Sequence, residues 1–124
     1  YCWKSIPGFS KIGKYTGNGN TRGTYVYLGF RPAWVMVKRT DTSANWHIWD
    51  NKRDPDNPVY GQLNANLSNA EVTGDVRVDF LSNGFKHRNS DGGKAGNYSG
   101  GTYIYMAFAE QPGNTAFDTI TSAR

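Results

Sequence analysis

Four stretches of this chain repeat large residues at every second position, and turn-forming residues follow each of them. They run from Thr24 to Phe30, Ala33 to Thr40, Asp75 to Leu81 and Thr102 to Glu110. A period of two sends successive side chains to opposite faces of a strand; a helix needs a period near 3.6. Composition agrees. Val, Ile, Thr, Tyr, Phe and Trp make up 40 of the 124 residues, whereas Ala, Leu, Glu, Met, Gln and Lys make up 26. Gly contributes 15 and Asn 12. β-branched and aromatic side chains suit pleated, half-buried surfaces, and Gly and Asn suit turns. A helical bundle, a coiled coil and a Rossmann domain are excluded on this ground. A chain of this length is one domain and buries about 68% of its unfolded surface, enough for a core without staples.

The walk along the chain gives the expected elements. Residues 1–14 space Trp3, Ile6, Phe9 and Ile12 with Pro7, Gly8 and Gly13 between them, and read as a strand end followed by a linker. Tyr15 to Asn20 reads as a turn-rich loop. In 24–30, Tyr25 and Tyr27 share one face, and Arg31-Pro32 ends the strand. Residues 33–40 are apolar on both faces at their start, which suits a central strand, and 46–49 form a short one. Two prolines make 51–58 a loop, and 60–73 reads as a short helical turn or an irregular strand. Ser82-Asn83-Gly84 signals a hairpin between 75–81 and 85–88. A loop spans 89–101, and 102–110 is the last core strand. The result is an all-β chain of seven to eight short strands, an antiparallel, jelly-roll-like β-sandwich. Residues 12–113 form the sandwich module, 1–11 the end of a preceding module or a linker, and 114–124 an extended tail.

Reactive chemistry is sparse. Cys2 is the single cysteine, so no intrachain disulfide forms, and no His lies near it to activate the thiol. His47 and His87 are the only histidines and Glu71 and Glu110 the only glutamates. No nucleophile elbow, HExxH or phosphate-binding loop is present. The expectation is no enzyme and no cofactor. Asp50, Asn51, Asp54, Asp56 and Asn57 gather oxygen atoms in one loop, which makes Asp50, Asp54 and Asp56 weak calcium candidates. Lys52 and Arg53 oppose a cation there, and Asx turns explain the same residues. No apolar run approaches the roughly 20 residues of a membrane helix.

Surface recognition has more material. The net charge is +4 and the pI about 9.3. Lys52-Arg53 and Lys86-His87-Arg88 give a candidate basic patch of Lys52, Arg53, Lys86 and Arg88 for an anionic partner. Tyr and Trp join an apolar body to a polar tip, which suits sugar rings and subunit contacts. Trp49, Tyr60 and Tyr98, with His47, are the candidate ligand-binding residues, and Trp34, Phe80 and Phe108 the candidate core aromatics.

The chain's ends echo each other: Trp3-Lys4-Ser5-Ile6-Pro7-Gly8 aligns with Phe108-Ala109-Glu110-Gln111-Pro112-Gly113 at an offset of 105 residues. With no initiator Met or signal-peptide pattern at Tyr1, the sequence reads as a piece of a longer tandem protein. Five strings then stand in a specific order: Tyr15-Thr16-Gly17-Asn18-Gly19, Phe30-Arg31-Pro32-Ala33-Trp34-Val35-Met36-Val37-Lys38-Arg39-Thr40-Asp41, Asn45-Trp46, Asp79-Phe80-Leu81-Ser82-Asn83-Gly84-Phe85-Lys86, and Ser99-Gly100-Gly101-Thr102-Tyr103-Ile104-Tyr105-Met106-Ala107-Phe108-Ala109-Glu110. Over about residues 12–124 they resemble a family of modules in bacteriophage virion proteins, often tail-fibre or receptor-binding proteins of marine phages. The resemblance implies a non-enzymatic β-sandwich on an extracellular virion appendage. It implies partners among copies of itself and other virion proteins; the motifs fix no ligand, and host surface polysaccharide is the candidate contact. The alternative is an extracellular carbohydrate-binding module without a filament role. Membrane is excluded as a partner, and nucleic acid is the least supported. The 45–50 string, with its second tryptophan, and the Gly- and Asn-rich 89–99 loop depart from the family pattern, and specificity is expected to vary there.

Overall fold

The computed structural model describes residues 2–90 and 96–111, with backbone only at 74–76. The tail expected over 114–124 lies outside the described residues. Among the described residues regular structure is entirely β: β1 (Ser10–Thr16), β2 (Tyr25–Tyr27), β3 (Pro32–Arg39), β4 (Trp46–Asp50), β5 (Val59–Asn64), β6 (Val72–Leu81), β7 (Gly84–His87) and β8 (Thr102–Ala109). All pairings are antiparallel, in the order β1-β8-β3-β4-β5-β6-β7-β2. The pairs β1–β8, β2–β7 and β4–β5 nest the ends of the sequence around its middle, as in a jelly roll.

The sheet curls so that β1-β8-β3-β4 faces β5-β6-β7-β2 across one core. Its edge strands nearly meet: the Thr24 hydroxyl beside β2 donates to the Thr16 carbonyl at the end of β1 (3.0 Å). Near closure hides most of two unpaired edges, which otherwise recruit other chains. The core follows the period of two. Val35 and Val37 of β3, Val78 and Phe80 of β6, Phe85 of β7, and Tyr103, Tyr105 and Ala107 of β8 all point inward and are buried. Removing an aromatic ring from such a position costs about 3–5 kcal/mol.

Several elements differ from the sequence expectation for physical reasons. β1 occupies residues read as a linker and a loop, and begins before the expected boundary at 12. Its alternation is concealed because its inner face carries Gly13 and Tyr15. A side chain at Gly13 would strike the Tyr105 hydroxyl, which uses that space. β2 is three residues long because the Leu28 and Gly29 N–H groups turn to the Asn83 carbonyl (2.7 and 3.0 Å). Of the two readings of 60–73 the irregular strand is the one found: β5 runs to Asn64 with a register shift between Val59 and Gly61, Leu63 lies opposite Ile48, and Leu67 is exposed. Trp34 and Phe108, read as core, sit half-buried on the outer face, where their rings meet at 5.7 Å. Only Phe80 of the three candidate core aromatics is inside.

The loops at one end are tied by Asn97, which is fully buried. Its Oδ1 accepts from the Asn18 N–H (3.1 Å) and the Thr24 hydroxyl (3.0 Å). Its Nδ2 donates to Asn18 Oδ1 (3.1 Å) and to the carbonyls of Asn20 (2.9 Å) and Asn89 (2.8 Å). A buried amide is tolerated only when its donors and acceptors are met, and these are. Replacing it by Ala strands several buried groups, each costing about 1–3 kcal/mol. Asn97→Ala is therefore expected to lose about 3 kcal/mol or more in a urea titration, while Asn18→Ala, which is exposed, loses less.

Candidate functional site

Both histidines lie inside the sheet rather than on its surface. His47 and His87 are buried, and so is Trp49, at 0% exposure. This corrects the placement of His47 and Trp49 among surface recognition residues. The string Trp46-His47-Ile48-Trp49-Asp50 carries a Trp in either phase, so alternation alone leaves its inner face open. Pairing decides it: Val35 and Val37 face the core, and they stand opposite Trp49 and His47. Residues on one face of a ladder share their burial.

A line of rings runs through this interior. His47 lies 5.9 Å from Trp49, Trp49 lies 6.0 Å from His87, and Tyr15 lies 5.4 Å from His87 and stacks on Tyr103 at 5.0 Å. The Tyr15 hydroxyl donates to the Gly96 carbonyl (2.8 Å), so its lone pair faces His87 Nε2 (2.8 Å). His87 Nε2 therefore holds the proton of a neutral ring. Burial pushes His87 down to about 3, with nearby His47 adding to the effect. Burial pushes His47 down to about 4, against the Asn64 side chain and with Lys38. Among the described residues, His47 Nδ1 and Nε2, His87 Nδ1 and Trp49 Nε1 have no hydrogen-bond partner. Buried as they are, these rings fill the space within the curled sheet.

Their depressed pKa values link stability to pH. The unfolded chain protonates near 6.5, before the folded one. The stabilising contribution is full above about pH 6.5 and is lost as pH falls toward 4, at roughly 1.4 kcal/mol per pH unit for each histidine. His87→Gln keeps a donor for Tyr15 and cannot titrate. Its fall in Tm between pH 7 and pH 5 is expected to be about half that of the parent, read by thermal melts at both pH values.

The remaining candidates do not converge. Tyr60 is on an outer face, with the Arg77 guanidinium 5.4 Å from its ring centroid. Tyr98 is on the loop bound by Asn97, with the Arg39 guanidinium 4.3 Å from its ring centroid. Arg39 is held by a two-point bond to Asp41, at 2.6 and 3.1 Å. With Trp49 inside, the expected groove between Trp49, Tyr60 and Tyr98 is replaced by two separate tyrosines. The basic patch divides similarly. Arg53 is paired with Asp50 (2.8 Å) and Glu71 (2.7 Å), whereas Lys86 is on β7 and Arg88 just beyond it. The loop carboxylates are engaged by the chain itself. Asp50 accepts from the Lys52 and Arg53 N–H groups, and Asp54 from those of Tyr60 and Gly61. Asp56 is exposed. Among the described residues no three His, Cys, Asp or Glu side chains are grouped to hold a metal.

The outer surfaces carry the stronger signals. Ile12, Met106, Met36, Ile48 and Leu63 stand opposite one another in a continuous apolar row across β1-β8-β3-β4-β5. Phe108 and Trp34 flank it on one side, Ile104 and Trp46 on the other. Trp3 lies edge-on to Phe108 at 6.3 Å, and a groove of about 320 Å³ opens among Trp3, Ile12, Met36, Trp46, Ile104 and Met106. An antiparallel sheet with one solvated face ordinarily turns polar residues outward. The signal was present in the sequence, since 33–40 is apolar on both faces at its start. The second outer surface, over β6-β7-β2, is of the opposite kind: it presents Tyr25, Tyr27, Arg77, Lys86 and Arg88.

Residues 1–112 match the description "domain of unknown function (DUF7483)". The chain belongs to that family. The matched span takes in residues 1–11 together with the whole sheet. No curated protein and no solved structure matches the chain.

Proposed function

We propose that this member of the DUF7483 family is a structural, non-enzymatic module of a bacteriophage virion appendage, a tail fibre or receptor-binding protein. In this reading it works outside the cell, packs against copies of itself and other virion proteins, and touches host surface glycans. The ordered strings of residues 12–124 support the appendage. The observation that carries the packing role is the apolar row from Ile12 to Leu63 on the outside of the sheet. An outward apolar row like this one, with Ile12 and the neighbouring Ile104 exposed and Met36, Ile48, Leu63 and Met106 half-buried, suits contact with another macromolecule. Most homo-oligomers close by point-group symmetry, so that the same contact recurs on every copy. The burial of both histidines supports a holding part rather than a reacting one.

The alternative, a lone carbohydrate-binding module, is favoured by the exposed tyrosines Tyr25, Tyr27, Tyr60 and Tyr98. Light scattering after size exclusion separates the two. The appendage module is expected to form a defined oligomer at micromolar concentration. Met36→Lys combined with Ile104→Lys is expected to weaken association at least tenfold while leaving the circular dichroism of the fold intact. A parent chain that is monomeric at every concentration would count against the packing role and favour the lone module.

A further inference from the structure

We propose that the outer surface of β6-β7-β2 binds an acidic polysaccharide, one bearing carboxylate or sulfate groups on its sugars. This rests on the host-contact part of the reading above and assigns it a ligand class and a place. The register puts the residues in ranks: Asp79, Lys86 and Tyr25 stand side by side, and Tyr27 follows two residues further along β2. Arg77 and Arg88 occupy the next outward positions on the other side, joined by the Arg88 N–H to the Arg77 carbonyl (2.8 Å). Tyr60 on β5 lies against Arg77. From β5 to β2 is three strand spacings, about 14 Å, and neighbouring ranks are about 7 Å apart. That is an open platform several sugar units wide, with tyrosine at both ends and cations between.

Charge favours an anionic ligand. Among the described side chains of this surface, Arg77, Lys86 and Arg88 face a single carboxylate, Asp79, which lies 3.5 Å from Arg88. At its edge the Lys11 ammonium reaches the Tyr27 carbonyl (3.1 Å) and lies 5.2 Å from the Tyr27 ring centroid. The tyrosines keep hydroxyls in solvent, with Tyr25 at 44% and Tyr27 at 60% exposure, and offer both a ring and a hydrogen bond to a sugar. The same features disfavour nucleic acid. Single-strand binders use a positive groove and bare ring faces on which bases stack. Here the surface is the outer side of a curled sheet, Arg77 and Lys11 already lie over two of the rings, and Asp79 interrupts the positive charge where a phosphate run would pass. Sparse acidic groups separated by hydroxyls match this spacing better.

The test titrates the whole chain with alginate, heparin, neutral dextran and an oligo-dT strand, following tyrosine and tryptophan fluorescence at 20 to 300 mM salt. Alginate and heparin are expected to bind, with affinity falling on added salt. Lys86→Ser with Arg88→Ser is expected to weaken binding at least tenfold and flatten the salt dependence. Tyr25→Ala with Tyr27→Ala is expected to weaken it several-fold at unchanged salt dependence. Thermal melts establish that both variants fold. Binding that is absent, equal for dextran, tighter for oligo-dT, or indifferent to both pairs of substitutions would overturn the proposal. Light scattering on the same samples keeps the two readings apart. A monomer that binds alginate removes the appendage and keeps this site; an oligomer that does not removes only the site.

Discussion

The fold depends on how the two ends of one curled sheet are held together. β1 and β2 are its edges, and no ladder joins them. What joins them is polar and buried. Asn97 fastens the 18–24 loop to Asn89, and Tyr15 spans from β1 to His87 and the Gly96 carbonyl. Asn97 and His87 at their centres are fully buried, so an unpaired group left there would be costly. Gly23 belongs to the same closure: its φ is +44°, and the His87 carbonyl fills the space a side chain would need. Main-chain approach this close admits only glycine.

Closure divides the molecule into an interior and two unlike exteriors. The interior accepts two neutral histidines because rings surround them and their charged forms are penalised by burial. One exterior, over β1-β8-β3-β4, is apolar and partly crossed by the N-terminal segment. That segment is itself pinned: the Ser10 hydroxyl donates to the Lys4 carbonyl (2.9 Å), and the Ile12 N–H donates to the Ser5 hydroxyl (3.0 Å). Trp3 is thereby set over the sheet's aromatic edge, yet stays 61% exposed. The other exterior is cationic and tyrosine-rich. The packing and ligand contact proposed above would each use one of these two unlike exteriors.

Much of the strand framework was legible in the sequence. β3, β6, β7 and β8 lie within a few residues of the alternating strings, because a half-buried strand cannot avoid that period. β1 was not legible: its inner positions include Gly13, chosen to clear Tyr105, and that reason exists only across a ladder. Residue type and spacing name tyrosines and cations but do not place them: Tyr60, Tyr98 and Arg88 lie exposed and Lys86 half-buried, not all on one surface, whereas Trp49 and His47 are interior.

By itself, the sequence determined the class of fold, its antiparallel strands and the scarcity of reactive groups. Those follow from side-chain branching, period and inventory, which are local properties. Only the tertiary structure decided which face of each strand looks inward, and hence where His47, Trp49, Trp34 and Phe108 lie. A one-residue change of phase exchanges the two faces of a strand, and a string such as Trp46 to Trp49 is equally apolar in both. The choice belongs to the neighbour across the ladder, whose own side chains must meet in one core.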